Sequence, residues 1–203
     1  MWYKNRDEKA IAGYRDVLNT IHNSHDYISV TGNIILQLHR DLTKYSESSL
    51  GGTYKITQNY LKETKADGTE FIRFTPVPPY ETAPCIDAIC ENYRTAIESH
   101  KVDPLLLIPV FIHDFLCIHP FNDGNGRMSR LLTLLLLYRN GYEVGKYISI
   151  ENISKRQKAR IMMPLKKHLM AGMKKPMILR RSSNICLVSF LPATANLKKE
   201  LNQ

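Results

Sequence analysis

This chain of 203 residues contains no long apolar run, and we expect it to have no secretory leader. Its longest apolar run, residues 131–138, is interrupted by Thr133 and is far shorter than the roughly 20 residues that cross a bilayer. The N-terminus shows no charged segment followed by an apolar one. We therefore expect no membrane partner. A hydrophobic content of 43% over this length suits a globular domain with a substantial core.

Cysteines are few, and their spacing excludes the common structural uses. The four, at positions 85, 90, 117 and 186, form no Cys-x-x-Cys pair and have no histidine at a spacing suited to zinc. This pattern favours free thiols in a reducing compartment over disulfides or a metal cluster. We expect a cytoplasmic protein.

Acidic residues are nearly absent from the last quarter of the chain. Residues 1–151 carry 16 Lys/Arg against 18 Asp/Glu, a charge of −2, whereas residues 152–203 carry 12 Lys/Arg against Glu200 alone, a charge of +11. The net charge of +9 therefore comes entirely from the tail. Because the body is close to neutral, we expect no nucleic-acid partner for it.

Hydrophobic periodicity predicts a mostly helical protein, an all-α class with one small β-hairpin. The predicted helices span residues 7–23, 31–45, 81–100, 105–118 and a segment from about Met128 to Asn140. Residues 53–61 and 70–74 predict two strands joined by a turn at 66–68, followed by an extended proline-rich linker that includes Pro79. Three histidines, His22, His25 and His39, share no face or partner in this pattern, and we interpret them as structural.

Residues 119–130, His-Pro-Phe-Asn-Asp-Gly-Asn-Gly-Arg-Met-Ser-Arg, combine the residue types that phosphate chemistry requires. Pro120 disfavours the helical region for His119, so the preceding helix should end there. Gly124 and Gly126 permit positive φ and close backbone approach. The next helix opens out of this loop, and its free N–H groups and dipole favour an anion.

Side chains in the same stretch suit the other roles of such a site. Arg127 and Arg130 share one face of a helix and can bind further phosphate oxygens. Asp123 is the single carboxylate of the stretch, and Mg²⁺ beside phosphates is usually held by one or two carboxylates. His119 has the pKa range of a general base. A metal site that joins His113 and Asp114 to this stretch is disfavoured, because adjacent helical residues diverge.

The stretch matches in full the signature His-Pro-Phe-x-Asp/Glu-Gly-Asn-Gly-Arg-x-x-Arg, and residues from about 7 to 153 resemble the Fic family. The resemblance implies a Fic-type helical bundle and a protein adenylyltransferase, which transfers AMP from ATP with Mg²⁺ to a Ser, Thr or Tyr hydroxyl of a target protein. The implied site residues are the base His119, the metal ligand Asp123, the phosphate-binding residues Gly124, Asn125, Gly126, Arg127 and Arg130, and the loop anchor Phe121. The hairpin resembles the family's flap, to which a target peptide would add as a strand.

Two alternatives stay open. Fic-type sites also transfer other phosphate-linked groups or remove AMP, and the chain could instead be a catalytically impaired nucleotide-binding fragment.

Many Fic proteins carry an inhibitory Ser/Thr-x-x-x-Glu-Gly/Asn motif, and we find none here. Because the first predicted helix begins close to Met1, we expect the segment that would carry this motif to be missing and Arg130 to be free of it.

The C-terminal part departs from the family pattern. Beyond residue 153 helical periodicity and acidic residues disappear together, so we divide the chain into a Fic core at 1–153 and an aberrant basic tail at 154–203 that replaces the closing helices. A reading frame shifted forward by two bases allows residues 161–164 to encode Tyr-Asp, and residues 168–173 to encode Ser-His-Gly-Trp-His and an acid, similar to a segment of many Fic proteins. We hypothesise a frameshifted C-terminus, which would remove part of the adenine pocket.

Overall fold

A computed structural model describes residues 6–46, 51–65 and 67–142. In chain order it comprises α1 (Arg6–Ser24), a 3-10 turn (His25–Tyr27), α2 (Gly32–Leu42), β1 (Leu61–Thr64), β2 (Glu70–Phe74), α3 (Pro79–Glu98), α4 (Pro104–Ile118) and α5 (Asn125–Arg139). The predicted class, all-α with one small β-hairpin, is confirmed. The domain boundary at 153, the basic tail and the frameshift hypothesis fall outside the described residues.

Helices α4 and α5 form the centre of the bundle, as their apolar sequences predict. Asp103 caps α4 by accepting the N–H of Leu105 at 2.8 Å, and Pro104 occupies the first turn, where a missing N–H has no consequence. Helix α4 packs against α3 and α5, while α1 packs against α2 and α5. Phe111 and Phe115 from α4 are fully buried. The loop between α4 and α5 is therefore held on both sides by the core.

The hairpin forms later in the chain than the sequence predicts. The antiparallel strands β1 and β2 pair from Thr64↔Glu70 to Leu61↔Phe74, with an irregularity after Leu61. The prediction that residues 53–60 belong to the first strand is wrong, because polar groups of that segment bond to the α4–α5 loop instead. The predicted extended linker is also too long, since Pro79 is the first residue of α3.

All three histidines that we interpreted as structural make contacts within the fold. The rings of His22 and His25 lie 5.3 and 5.1 Å from the ring of Tyr138, and the hydroxyl of Tyr138 lies 3.0 Å from His22 Nδ1. His39 is 4% exposed and contacts the α4–α5 loop. The structural interpretation suits His22 and His25, whereas His39 belongs to the description of the site.

Two expectations about the chain as a whole concern its cysteines and its helices. Cys85, Cys90 and Cys117 form no disulfide with one another, as predicted, and burial raises the pKa of Cys90 and of Cys117 to about 12. Cys186 lies outside the described residues. In the part of the chain that the structure describes, no helix combines the length and apolar character needed to cross a bilayer.

Candidate active site between helices α4 and α5

Helix α4 ends at His119, which has a left-handed backbone at φ 51° and ψ 62°. Its N–H still donates to the carbonyl of Phe115 at 2.9 Å, so the histidine completes the last turn and then redirects the chain. Pro120 keeps His119 out of the right-handed helical region, as predicted, although the residue adopts the left-handed region rather than an extended one. A non-glycine residue in this region is uncommon, and the surrounding contacts must hold it there.

Phe121 is fully buried and fixes the loop to the core. Its ring stacks on the imidazole of His39, with centroids 3.7 Å apart and planes 4° apart. The rings of Tyr54 and Phe115 lie 6.1 and 6.3 Å away. The side chain thus has the burial and the aromatic contacts that an anchor of the loop requires.

Asn125 braces the loop from inside. Its side chain is 3% exposed, and its Oδ1 accepts the N–H of Phe121 at 3.0 Å while its Nδ2 donates to the carbonyl of the same residue at 2.6 Å. The side chain of Asn125 is therefore committed to the loop. The backbone N–H of Asn125 is the part of the residue that remains for an anion.

The two glycines of the stretch differ in their backbone. Gly124 has φ 85° and precedes α5, and a Cβ built there would lie 3.3 Å from His39 Nε2. Gly126 lies inside the first turn of α5, and a Cβ built there meets no atom within 4 Å. Gly124 uses the positive φ that glycine permits, whereas Gly126 does not. At Gly126 the missing side chain leaves the start of the helix open.

Helix α5 begins at Asn125, earlier than the predicted start near Met128. The first backbone bond of the helix runs from Met128 N–H to Gly124 O at 2.8 Å. The N–H groups of Asn125, Gly126 and Arg127 precede it, and such groups have no acceptor within their own helix.

An open pocket of about 300 Å³ lies over this helix start. It is lined by His119, Asn122, Asp123, Gly124, Asn125, Gly126, Arg127 and Arg130. The loop therefore brings every predicted site residue except the buried anchor Phe121 to one pocket.

Two arginines and one carboxylate give this pocket its charge. Arg127 Nη2 lies 3.2 Å from Asp123 Oδ2, and Asp123 Oδ1 accepts the N–H of Gly124 at 2.6 Å. The guanidinium of Arg130 lies over the ring of Tyr14, 6.0 Å from its centroid. Positive side chains at the positive end of a helix are unfavourable in isolation and favour a bound polyanion.

The surroundings of His119 favour the neutral form of its imidazole. Burial lowers its pKa below 6.5, the nearby Lys55 ammonium lowers it further, and a hydrogen bond to the carbonyl of Leu116 partly opposes both. His119 Nδ1 lies 3.4 Å from the Leu116 oxygen. Because a carbonyl can only accept, this contact favours the tautomer with the proton on Nδ1, which leaves the lone pair on Nε2. The second nitrogen is therefore available as a base.

The donor set fits Mg²⁺ held together with phosphate rather than by a protein cage. The side chain of Asp123 is 71% exposed at the pocket. Among the described residues, no group of three or more His, Cys, Asp or Glu side chains could hold a metal ion. His113 and Asp114 are buried in α4 beside Cys117, away from the pocket lining. A single exposed carboxylate beside a phosphate site is a common arrangement for Mg²⁺.

Three residues that support the site escaped the sequence analysis. His39 donates from Nε2 to the carbonyl of Asp123 at 3.1 Å and accepts the N–H of Gly52 at its Nδ1, also at 3.1 Å. Lys55 and Asn59 bond to backbone carbonyls at the end of α4 and in the following loop. All three lie at least 60 positions from the atoms of residues 118–123 that they contact, and no local pattern marks them.

Comparison with known proteins identifies relatives over most of the described chain. A model of the Fic/DOC family matches residues 29–137, which is more than half of the sequence. Protein adenylyltransferase fic-1 of Caenorhabditis elegans is 29% identical over 124 residues, which cover 58% of this chain and 21% of that protein. Protein adenylyltransferase Fic of Drosophila grimshawi is 30% identical over 115 residues, with coverage of 57% and 22%. The chain spans about a fifth of the length of these relatives.

Solved structures share the fold at low sequence identity. A Fic domain containing signaling protein of Bacteroides thetaiotaomicron superposes with a TM-score of 0.73 at 22% identity, covering 97% of this chain and 70% of that one. Fic-1 of C. elegans superposes with a TM-score of 0.61 at 18% identity, with coverage of 98% and 54%. The helical bundle with a hairpin that the sequence implies is confirmed by these neighbours.

Proposed function

This chain belongs to the Fic/DOC family, and from that membership we propose that it is a protein adenylyltransferase, which moves AMP from ATP to a Ser, Thr or Tyr hydroxyl of a target protein. The chain spans only about a fifth of the length of the relatives whose names carry this activity. The proposal therefore rests on the family together with the chemistry of the pocket between α4 and α5.

The phosphates of ATP would bind at the start of α5. The N–H groups of Asn125, Gly126 and Arg127 have no acceptor within the helix, and the helix dipole adds positive potential there. Gly126 leaves the helix start open to a large anion. The guanidinium groups of Arg127 and Arg130 would bind oxygens of the β- and γ-phosphates.

His119 would act as the general base. The target hydroxyl gives its proton to Nε2 while its oxygen forms a bond to the α-phosphorus. The bond between that phosphorus and the oxygen bridging to the β-phosphate breaks, and pyrophosphate leaves. A neutral imidazole can accept this proton at physiological pH. Positioning and charge stabilisation would provide most of the rate enhancement.

Asp123 would hold Mg²⁺ together with the bound phosphates. The ion neutralises charge on phosphate oxygens when it is present. Asp123 Oδ2 now bonds to Arg127, so binding of the ion would release that guanidinium for the phosphates. The bond between Asp123 Oδ1 and the N–H of Gly124 keeps the carboxylate at the edge of the helix start.

The target segment would add as a strand to the hairpin. Because β1 and β2 pair only with each other in the described part of the chain, each has an outer edge with backbone groups that another strand can pair with. Phe71 and Ile72 on β2 are exposed hydrophobic residues that can contact such a segment. Asn59, which lies two residues before β1, donates to the carbonyl of His119. The hairpin to which the target would add is therefore close in sequence to a residue that contacts the base.

One observation supports the proposal most strongly. A single pocket is lined both by His119, whose surroundings favour the neutral imidazole, and by the start of a helix that carries two arginines. The test measures transfer of label from ATP carrying it on the α-phosphate to proteins of a soluble extract. We expect His119→Ala to lower the rate by about 10²- to 10⁴-fold, the range for loss of a general base. His100→Ala is a matched control, because His100 also has a positive φ, of 52°, and is exposed.

Three outcomes of this experiment discriminate between functions. Label retained from the α-phosphate but not from the γ-phosphate, with a mass gain equal to AMP, supports adenylylation. Transfer from the γ-phosphate, or a different mass gain, would indicate another phosphate-linked group. Thermal stabilisation by MgATP without any transfer would indicate a nucleotide-binding fragment. Equal rates for His119→Ala and the unmodified chain would disprove the assignment of the base.

A further inference from the structure

Two residues of segment 55–59 donate hydrogen bonds to four consecutive backbone carbonyl groups, those of His119 and its neighbours. Lys55 donates from Nζ to Ile118 O at 2.9 Å and from its backbone N–H to Pro120 O at 2.8 Å. Asn59 donates from Nδ2 to His119 O at 3.2 Å and to Phe121 O at 3.1 Å. Every backbone oxygen from residue 118 to residue 121 therefore accepts a hydrogen bond from this one segment.

Lys55 and Asn59 also orient each other. Lys55 Nζ donates to Asn59 Oδ1 at 3.0 Å, which turns the amide so that its Nδ2 faces the loop. The opposite orientation would place Oδ1 against two carbonyl oxygens. Lys55 is 2% exposed, and its ammonium sits at the carbonyl end of α4, where a cation is favoured. These contacts hold the Lys55 ammonium and the Asn59 amide each in a single orientation.

The four carbonyls belong to the part of the chain that most needs support. They flank His119, whose left-handed backbone is unfavourable for a residue with a side chain. Carbonyl groups at the end of a helix also lack donors within the helix itself. The bond of the His119 ring to Leu116 O, at 3.4 Å, is long and cannot alone fix the imidazole.

We propose that Lys55 and Asn59 are positioning residues for catalysis, which hold the backbone of residues 118–121 so that the His119 imidazole faces the pocket. Neither residue lines the pocket, so both act on His119 rather than on ATP, through its backbone and, for Lys55, also through the charge near the imidazole. This inference rests on the proposed function, because it assigns their effect to the base of that reaction. It also explains why a lysine is buried in a segment that otherwise resembles a strand.

The test uses the full chain with two changes at these positions. Asn59→Asp keeps the size of the side chain but replaces the donor with an acceptor facing two carbonyls. Lys55→Met removes the ammonium. We expect the apparent kcat for label transfer from ATP at saturating concentration to fall about 10- to 100-fold, as for a misplaced catalytic group. The Kd for MgATP should stay within about twofold, since no phosphate-binding group changes.

Matched controls separate positioning from a general loss of structure. Asn19→Asp and Lys101→Met make the same chemical changes at exposed positions and should leave kcat unchanged. Lys55→Arg, which retains a buried cation with several donors, should recover more of kcat than Lys55→Met. Parallel losses of kcat and of MgATP affinity, with a lowered Tm, would show a merely structural role and overturn the proposal.

A second measurement does not depend on activity. The histidine ring signals in a two-dimensional NMR spectrum report the surroundings of each imidazole, and His119→Ala identifies the signal of His119. Asn59→Asp should move that signal, and Asn19→Asp should leave it in place. An unmoved signal would overturn the proposal. Absence of label transfer by the unmodified chain would instead disprove the proposed function, and the NMR comparison would still decide the role of Asn59.

Discussion

Alanine at Gly124 should destabilise the protein, whereas alanine at Gly126 should not. Gly124 has φ 85°, and an added Cβ would lie 3.3 Å from His39 Nε2, the atom that bonds to Asp123 O. Gly126 has ordinary helical geometry, and its added Cβ would contact no atom within 4 Å. The two positions are two residues apart, so each serves as the control for the other.

The expected magnitudes follow from these geometries. A left-handed backbone costs a residue with a Cβ about 1–2 kcal/mol relative to glycine. Crowding against His39 adds to that cost, so Gly124→Ala should lower Tm by several degrees, at about 2–4 °C per kcal/mol for a chain of this size. In a helix alanine is about 0.5–1 kcal/mol more favourable than glycine. Gly126→Ala should therefore leave Tm unchanged or raise it slightly.

Binding of MgATP, in contrast to stability, should be impaired by alanine at Gly126. The added methyl group would project into the space over the helix start, where the phosphates are proposed to approach. Thermal unfolding with and without MgATP measures both effects in one experiment. Gly126→Ala should keep its Tm without nucleotide and lose most of the stabilisation by MgATP. A Gly124→Ala variant as stable as the unmodified chain would refute the backbone argument, and full MgATP stabilisation of Gly126→Ala would refute the placement of the phosphates.

Three further predictions concern protonation and charge. Burial lowers the pKa of both His39 and His119 below 6.5, so the unfolded chain binds more protons, and stability should be full above pH 6.5 and fall as the pH drops towards the lower folded values. The acid limb of the label-transfer rate should likewise have its midpoint below 6.5, and a midpoint above it would contradict the neutral base. Arg130→Ala should weaken MgATP binding measured by calorimetry, and an unchanged affinity would mean that the γ-phosphate binds elsewhere.

The helices of the bundle could be predicted from the sequence because their signals are local. Apolar periodicity and Pro104 located α4 correctly, and Asn140 follows the last residue of α5. The stretch at 119–130 predicted the lining of the pocket because its residues are consecutive and one turn and one helix start bring them together. Chemistry encoded in contiguous residues is therefore readable without a structure.

The errors share a different physical cause, which is the role of distant partners. Segment 53–60 has the composition of a strand, but Lys55 and Asn59 bond to carbonyls of the α4–α5 loop rather than to a neighbouring strand. The Asn125 side chain braces Phe121 from inside the loop, a role that its place in the stretch does not indicate. His39 supports Asp123 from 84 positions away. Such contacts depend on the packing of the whole bundle and leave no periodic signal.

The central claim is that the triphosphate of ATP binds at the start of α5, opposite His119. A crystal structure of His119→Ala grown with ATP and magnesium tests it most directly, because this variant should bind the nucleotide without consuming it. The account predicts phosphate oxygens within hydrogen-bonding distance of the N–H groups of Gly126 and Arg127, with the guanidinium of Arg130 on the same phosphates. A nucleotide bound elsewhere, with the start of α5 empty, would contradict it.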